Sequence, residues 1–226
     1  MWYVTSQKHG VSALGLQRFL GLGSYHTAWT WLHKLRLAMV RPGRDRLSGE
    51  VEIDETYVGG ERSGKAGRGA AGKALVMIAV EDKGTTLGRI RMCVVEDASP
   101  ASLTPAVGAC VEPGSAVRTD GWSGYCELGS EGYAHSALPK KSAPGEDLLP
   151  LAHRVASLVK RWLLGTHQGA IRPSHLAYYL DEFTFRFNRR TSRSRGKLFL
   201  RLVQQSVAVG PVRADDIRGG RERTQT

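Results

Sequence analysis

Four residues spaced widely along the chain could together perform phosphoryl chemistry: Asp54, Asp120, His153 and Lys160. Asp54 lies in Val51-Glu52-Ile53-Asp54-Glu55-Thr56-Tyr57-Val58, where apolar and polar residues alternate among β-formers and predict a strand. Alternation points Glu52, Asp54 and Thr56 to one face, with Val51, Ile53 and Tyr57 as apolar bulk around it. An aspartate midway along such a strand is out of place unless something uses it. Asp120 closes another predicted strand, Val117-Arg118-Thr119-Asp120, just before Gly121-Trp122. If the two strands are neighbours, two carboxylates meet at a sheet edge, an arrangement that holds Mg2+ for phosphoryl transfer. The plainer role for Asp120 is to cap the turn that follows it. His153 and Lys160 stand two helical turns apart and so share one side of a helix. Taken singly, such a histidine is a satisfied structural residue and such a lysine a solvated charge. Aimed at Asp54 and Asp120, they would add a metal-proximal group and a phosphate contact.

The elements that must position these residues follow from hydrophobic periodicity. Residues 12–20 read as a short helix broken by Gly21-Leu22-Gly23. Ser24 can cap a second helix, in which Tyr25, Ala28, Trp29, Leu32, Leu35 and Met39 recur at helical spacing. Helix, glycine turn and helix suit a helix-turn-helix DNA reader and equally a plain helical hairpin. Lys34, Arg36, Arg41, Arg44 and Arg46 against the single acid Asp45 tilt the segment toward phosphate contact. Beyond Arg41-Pro42-Gly43, strands are predicted at 51–58, 74–80 and 87–95, with Asp82-Lys83-Gly84 turning the chain between the last two. A helix at 99–111 and a strand at 116–119 follow, and the order predicts a mixed α/β domain. From Leu148 the pattern is helical again: Val155, Leu158, Val159, Trp162 and Leu163 form one stripe. Pro173 can start a helix with Leu176, Tyr179, Leu180, Phe183 and Phe187 inward, and a last helix is predicted from Lys197 to about Val207. The polar residues after Gly210 read as a frayed tail.

The chain has 226 residues, 41% of them hydrophobic and 23% charged, which excludes wholesale disorder. Its net charge of +11 favours a polyanionic partner over the small substrates of an ordinary metabolic enzyme. From Arg186 onward, eleven Lys or Arg face only three acids, so most of the excess charge sits in one arginine-rich stretch suited to a phosphate backbone. Arg186, Arg189, Arg190 and Arg193 are its candidate DNA contacts, with Arg161 on the preceding helix. The apolar run 74–80 is far short of the roughly 20 residues a membrane helix needs, and the N-terminus lacks a secretory pattern. Cys93, Cys110 and Cys126 include no C-x-x-C pair; they read as buried small hydrophobes or incidental thiols in a reducing, cytoplasmic setting. Gly59-Gly60-Glu61-Arg62-Ser63-Gly64-Lys65-Ala66 fits G-x-x-x-x-G-K, but Ala66 stands where Ser or Thr would ligate Mg2+, and the glycines that follow disfavour a helix. A basic hairpin loop carrying Arg62, Lys65, Arg68 and Lys73 against nucleic acid is the better reading.

The combination Val51-Glu52-Ile53-Asp54-Glu55-Thr56-Tyr57-Val58-Gly59-Gly60, Thr119-Asp120-Gly121-Trp122-Ser123-Gly124-Tyr125 and the stretch 153–167, with 179–190 behind it, resembles bacterial insertion-sequence transposases of the DDE superfamily. The likeness runs from about Val11 to Gln205. It implies an RNase H-like, integrase-like catalytic domain over 46–209, preceded by a helical DNA-binding segment over 1–45 and followed by a flexible basic tail over 210–226. It implies further that Asp54 and Asp120 match the first two catalytic aspartates. His153 with Lys160 resembles the ISXO-type branch, whose signature is Asp, Asp, His, Lys, where most relatives carry a glutamate. Imidazole is a poorer partner for hard Mg2+ than a carboxylate, and Glu146 and Asp147 lie nearby. The implied activity is hydrolysis at transposon ends and strand transfer into target DNA, with two Mg2+ or Mn2+ ions on Asp54, Asp120 and His153, by a homo-oligomer on DNA. Relatives carry a zinc ribbon ahead of the helix-turn-helix, and no cysteine here precedes Cys93. The alternatives are therefore an N-terminally truncated, catalytically silent DNA-binding remnant, or a nuclease that cuts without joining.

Overall fold

In a computed structural model of the chain, the described residues are 1–41, 43–59, 73–138, 147–169 and 171–219. They group into two compact units, residues 45–160 and residues 1–44 with 161–219. The division falls inside one helix, after Lys160.

The unit of residues 45–160 is built on a five-stranded sheet: β1 (Glu50–Val58), β2 (Ala74–Asp82), β3 (Leu87–Val95), β4 (Ala116–Asp120) and β5 (Ala134–Leu138), in the order β3-β2-β1-β4-β5. β1, β2 and β3 form an antiparallel meander, turned between β2 and β3 at Gly84, whose φ of 72° suits glycine and whose N–H is held by the Asp82 carboxylate. β4 lies parallel to β1, and β5 parallel to β4. A parallel neighbour requires a crossover, which α4 (Pro100–Cys110) supplies between β3 and β4. This mixed sheet flanked by helices is the RNase H-like arrangement. The unbroken apolar run of β2 is explained by its burial from Ala74 through Glu81, between β1 and the edge strand β3. Val51, Ile53, Met77, Ala79 and Val117 pack with Leu103, Ala106 and Val107 of α4 into one core layer, each large side chain contributing about 1.5–3 kcal/mol by burial. β5 escapes sequence reading because Ala134-His135-Ser136-Ala137-Leu138 has no β-branched residue and no fully buried one.

The remaining helices are α1 (Trp2–Ser6), α2 (Ala13–Leu20), α3 (Tyr25–Ala38), α6 (Leu176–Phe187), α7 (Arg195–Ala208) and α8 (Ala214–Arg218), with α5 (Pro150–His167) running from one unit into the other. The Ser12 hydroxyl accepts the Gly15 N–H at 3.0 Å and Gly21, at φ 62°, ends α2 in the left-handed region, as its position predicts. Ser24 occupies the N-cap of α3 without a side-chain capping bond. α6 is buried nearly all round, including Asp181, Glu182 and Thr184, rather than along one apolar stripe. The tail after Gly210 is not simply frayed. α8 forms there because Ile217 is fully buried, its carbonyl meets His175 Nε2 at 2.9 Å, and the Asp216 carboxylate accepts the Arg213 N–H. No helix among the described residues is long and apolar enough to cross a membrane.

Candidate active site

The strand face that alternation assigns to Glu52, Asp54 and Thr56 meets α5 at three successive steps. Glu52 Oε2 accepts the N–H groups of Leu151 and Ala152 at 2.9 and 3.2 Å. Asp54 Oδ2 lies 3.2 Å from His153 Nε2. Thr56 Oγ1 accepts a hydrogen bond from Lys160 Nζ at 2.6 Å. His153 and Lys160 thus stand on the side of α5 that seven-residue spacing predicts, and both reach β1.

Asp120 comes to the same place through strand register. β1 and β4 pair as far as Glu52 with Arg118, two residues before each aspartate, and Asp120 is near enough to Asp54 to help raise its pKa. Asp120 also caps its turn, since its Oδ1 accepts the Trp122 N–H at 3.2 Å. The turn is fixed from outside: Trp122 Nε1 donates to the Ala98 carbonyl at 2.8 Å. Gly124 packs so closely there that a methyl group would overlap the Ala98 carbonyl oxygen and crowd Leu103 and the Trp122 indole.

Burial pushes the Asp54 carboxyl up to about 6, Glu55 and Asp120 push the same way, and His153 and the Lys160 cation oppose them. Burial also lowers the Lys160 pKa, helped by Lys73 and opposed by Asp54. Beside Asp54, the Glu55 carboxylate accepts a hydrogen bond from the buried Tyr125 hydroxyl at 2.8 Å, and burial holds that phenol well above its ordinary pKa. Tyr125 and Glu55 carried no role in the sequence reading; their contact bridges two distant segments and leaves no local signature.

A divalent cation suits the Asp54 and Asp120 carboxylates, because paired oxygens carrying excess negative charge are the donors a hard ion prefers. His153 is differently engaged: besides Asp54, its Nδ1 lies 2.6 Å from Asp147 Oδ1. Among the described residues no group of three or more His, Cys, Asp or Glu side chains is arranged to hold a metal ion.

The expected DNA contacts divide sharply. Lys34, Arg161, Arg190 and Arg193 are exposed. Arg36 is buried at 2% exposure, its Nε 2.8 Å from the equally buried Glu182, so its charge is spent inside the fold. Arg186 binds the other oxygen of Glu182 at 2.7 Å and the carbonyls of Val4 and Gln7. Arg189 stacks on Phe185, and its guanidinium pKa is lowered by burial and by the nearby cations Arg201 and Arg41. Arg62, Lys65 and Arg68, with the rest of the glycine-rich loop, and Glu146 lie outside the described residues.

Residues 46–188 match the family described as the ISXO2-like transposase domain. No curated protein matches the chain.

Proposed function

The chain belongs to the ISXO2-like transposase domain family, an insertion-sequence branch of the DDE superfamily, and on that premise we propose that it hydrolyses a phosphodiester at the ends of its element and joins the freed 3′-hydroxyl to target DNA. The observation that carries this reading is the meeting of α5 with β1, where His153 reaches Asp54 and Lys160 reaches the neighbouring Thr56. Asp54 and Asp120 would hold the divalent ions, Mg2+ or Mn2+, with His153 beside them. When bound, such ions supply Lewis-acid stabilisation of the charge on attacking and leaving oxygens.

The protein's own groups do the rest. Asp54 and Asp120 give the corner its negative charge and orient what it binds. His153 is held between two carboxylates, Asp54 on the Nε2 side and Asp147 on the Nδ1 side, which fixes its ring beside the acidic corner. Lys160, anchored on Thr56, presents an ammonium to the scissile phosphate. Lys34, Arg161, Arg190 and Arg193 supply sequence-independent contacts to the DNA backbone.

The test uses Asp54→Asn and Asp120→Asn on duplexes carrying the element's ends. Cleavage and joining should fall by about 10³-fold or more, several kcal/mol of transition-state stabilisation, while DNA affinity holds. Joining at the wild-type rate by either variant would overturn the mechanism. Cutting without joining by the wild-type chain would identify a nuclease, and DNA binding without cutting a silent remnant.

A further inference from the structure

We infer that Glu52 is the positioning residue of this site, the single carboxylate that locks the three elements carrying Asp54, Asp120 and His153 into one frame. The inference rests on the transposase reading for its consequence in catalysis, and on geometry alone for its mechanism.

Glu52 is 1% exposed, and both of its oxygens are used. Oε2 accepts from the N–H groups of Leu151 and Ala152, in the first turn of α5. Those N–H groups have no partner within their own helix, and Pro150 at the first helical position has none to offer. A carboxylate there also meets the positive end of the helix dipole. Oε1 accepts from Arg118 Nη2 at 2.8 Å, and the same nitrogen donates to Asp82 Oδ2 at 2.7 Å. Each contact lies one step from the chemistry. Glu52 is two residues before Asp54 on β1, Arg118 is two before Asp120 on β4, and Ala152 directly precedes His153 on α5. A helix is ordinarily capped by a residue adjacent in sequence; here the cap comes from a strand about 100 residues away. That exchange converts a local stop signal into a tie between β1 and α5. Losing it would free α5 to shift along the sheet, and a displacement near 1 Å at reacting groups costs about 10²-fold in rate.

Glu52→Ala, Glu52→Gln and the pair Glu52→Ala with Lys160→Ala, made in the full chain, test this. Cleavage of element-end duplexes by Glu52→Ala should slow about 10–100-fold in kcat with KM unchanged. Glu52→Gln keeps a carbonyl oxygen for the two N–H groups but turns its NH2 toward Arg118, so it should restore the tie to α5 and recover part of the rate. Added to Lys160→Ala, Glu52→Ala should still slow cleavage by most of its own factor, because the frame it sets carries Asp54, Asp120 and His153, none of which Lys160 holds. Independently of activity, hydrogen exchange at the Leu151 and Ala152 amides should quicken in Glu52→Ala while Met77 and Ile78 in β2 stay protected. Unchanged exchange at 151 and 152 overturns the inference, as does protection lost evenly through β2, or a Glu52→Gln variant as slow as Glu52→Ala. If the wild-type chain cuts no DNA, the transposase reading falls, and the exchange measurement by itself decides whether Glu52 holds α5.

Discussion

Each unit buries a carboxylate among charged neighbours, and the two carboxylates are treated in opposite ways. In the helical unit, burial by itself would raise the Glu182 pKa, but Arg186 and Arg36 outweigh it and hold the carboxyl down at about 2. In the sheet unit, Asp54 has acids beside it, and burial, Glu55 and Asp120 lift it to about 6. The first charge is fully answered from within the fold and serves the fold. The second is answered only in part, by His153 at 3.2 Å and by Lys160, and a partly buried carboxylate raised in this way is a candidate functional group.

That contrast can be broken experimentally. The largest effect on stability is expected from Glu182→Gln, which strands the buried Arg36 guanidinium without its partner. The helical unit should lose about 3–5 kcal/mol, read as an earlier urea transition. Asp54→Asn, the variant proposed to remove activity, should by contrast leave the metal-free protein within about 1 kcal/mol of wild type, on the stabilising side, since it relieves repulsion. A comparable loss in both variants would erase the distinction.

Acid sharpens the same comparison at intermediate size. Burial first, then Arg36, lowers His33 to about 3 and His167 to about 4, so both stay neutral in the fold while the unfolded chain takes up protons near 6.5. Their contribution is full above 6.5 and is lost as pH falls below it; Glu182 adds a further loss as pH falls from 4.5 toward 2. Between pH 7 and 5, amide protection measured against the intrinsic exchange rate at each pH should therefore fall in α3 and α6 while β2 keeps its protection. Equal loss in both units would contradict the assignment. The smallest effect is Arg193→Ala, which should weaken DNA binding alike for all sequences and reduce the salt slope by about one. A sequence-dependent loss would show that Arg193 reads bases instead.

The site's partners were readable in the sequence because strand alternation and helical spacing are both written in residue types. Asp54 and Thr56 share a strand face, His153 and Lys160 share a helix face, and the structure joins the two faces. The anchors were not readable. Glu52 stands in plain view on the Asp54 face, but its partners at 151 and 152 are backbone N–H groups, which no residue type advertises. Arg36 and Arg186 were expected on DNA because a basic side chain on a helix looks solvated. Arg36 is turned inward by Glu182, 146 residues away, and Arg186 by the same acid one helical turn before it together with the remote Val4 and Gln7 carbonyls. β5 and α8 were missed for a related reason: each is five residues long and is held by neighbours remote in sequence.

The packing around Gly124 carries a consequence for how this protein can fail. A single added methyl there would press on the Ala98 carbonyl and on the indole that steadies the bend just past Asp120. The acidic side chain would keep its chemistry and lose its address. A damaged copy could thus retain every reactive residue intact and still be inert, so a roll-call of those residues is a poor gauge of whether such a copy can still move its DNA.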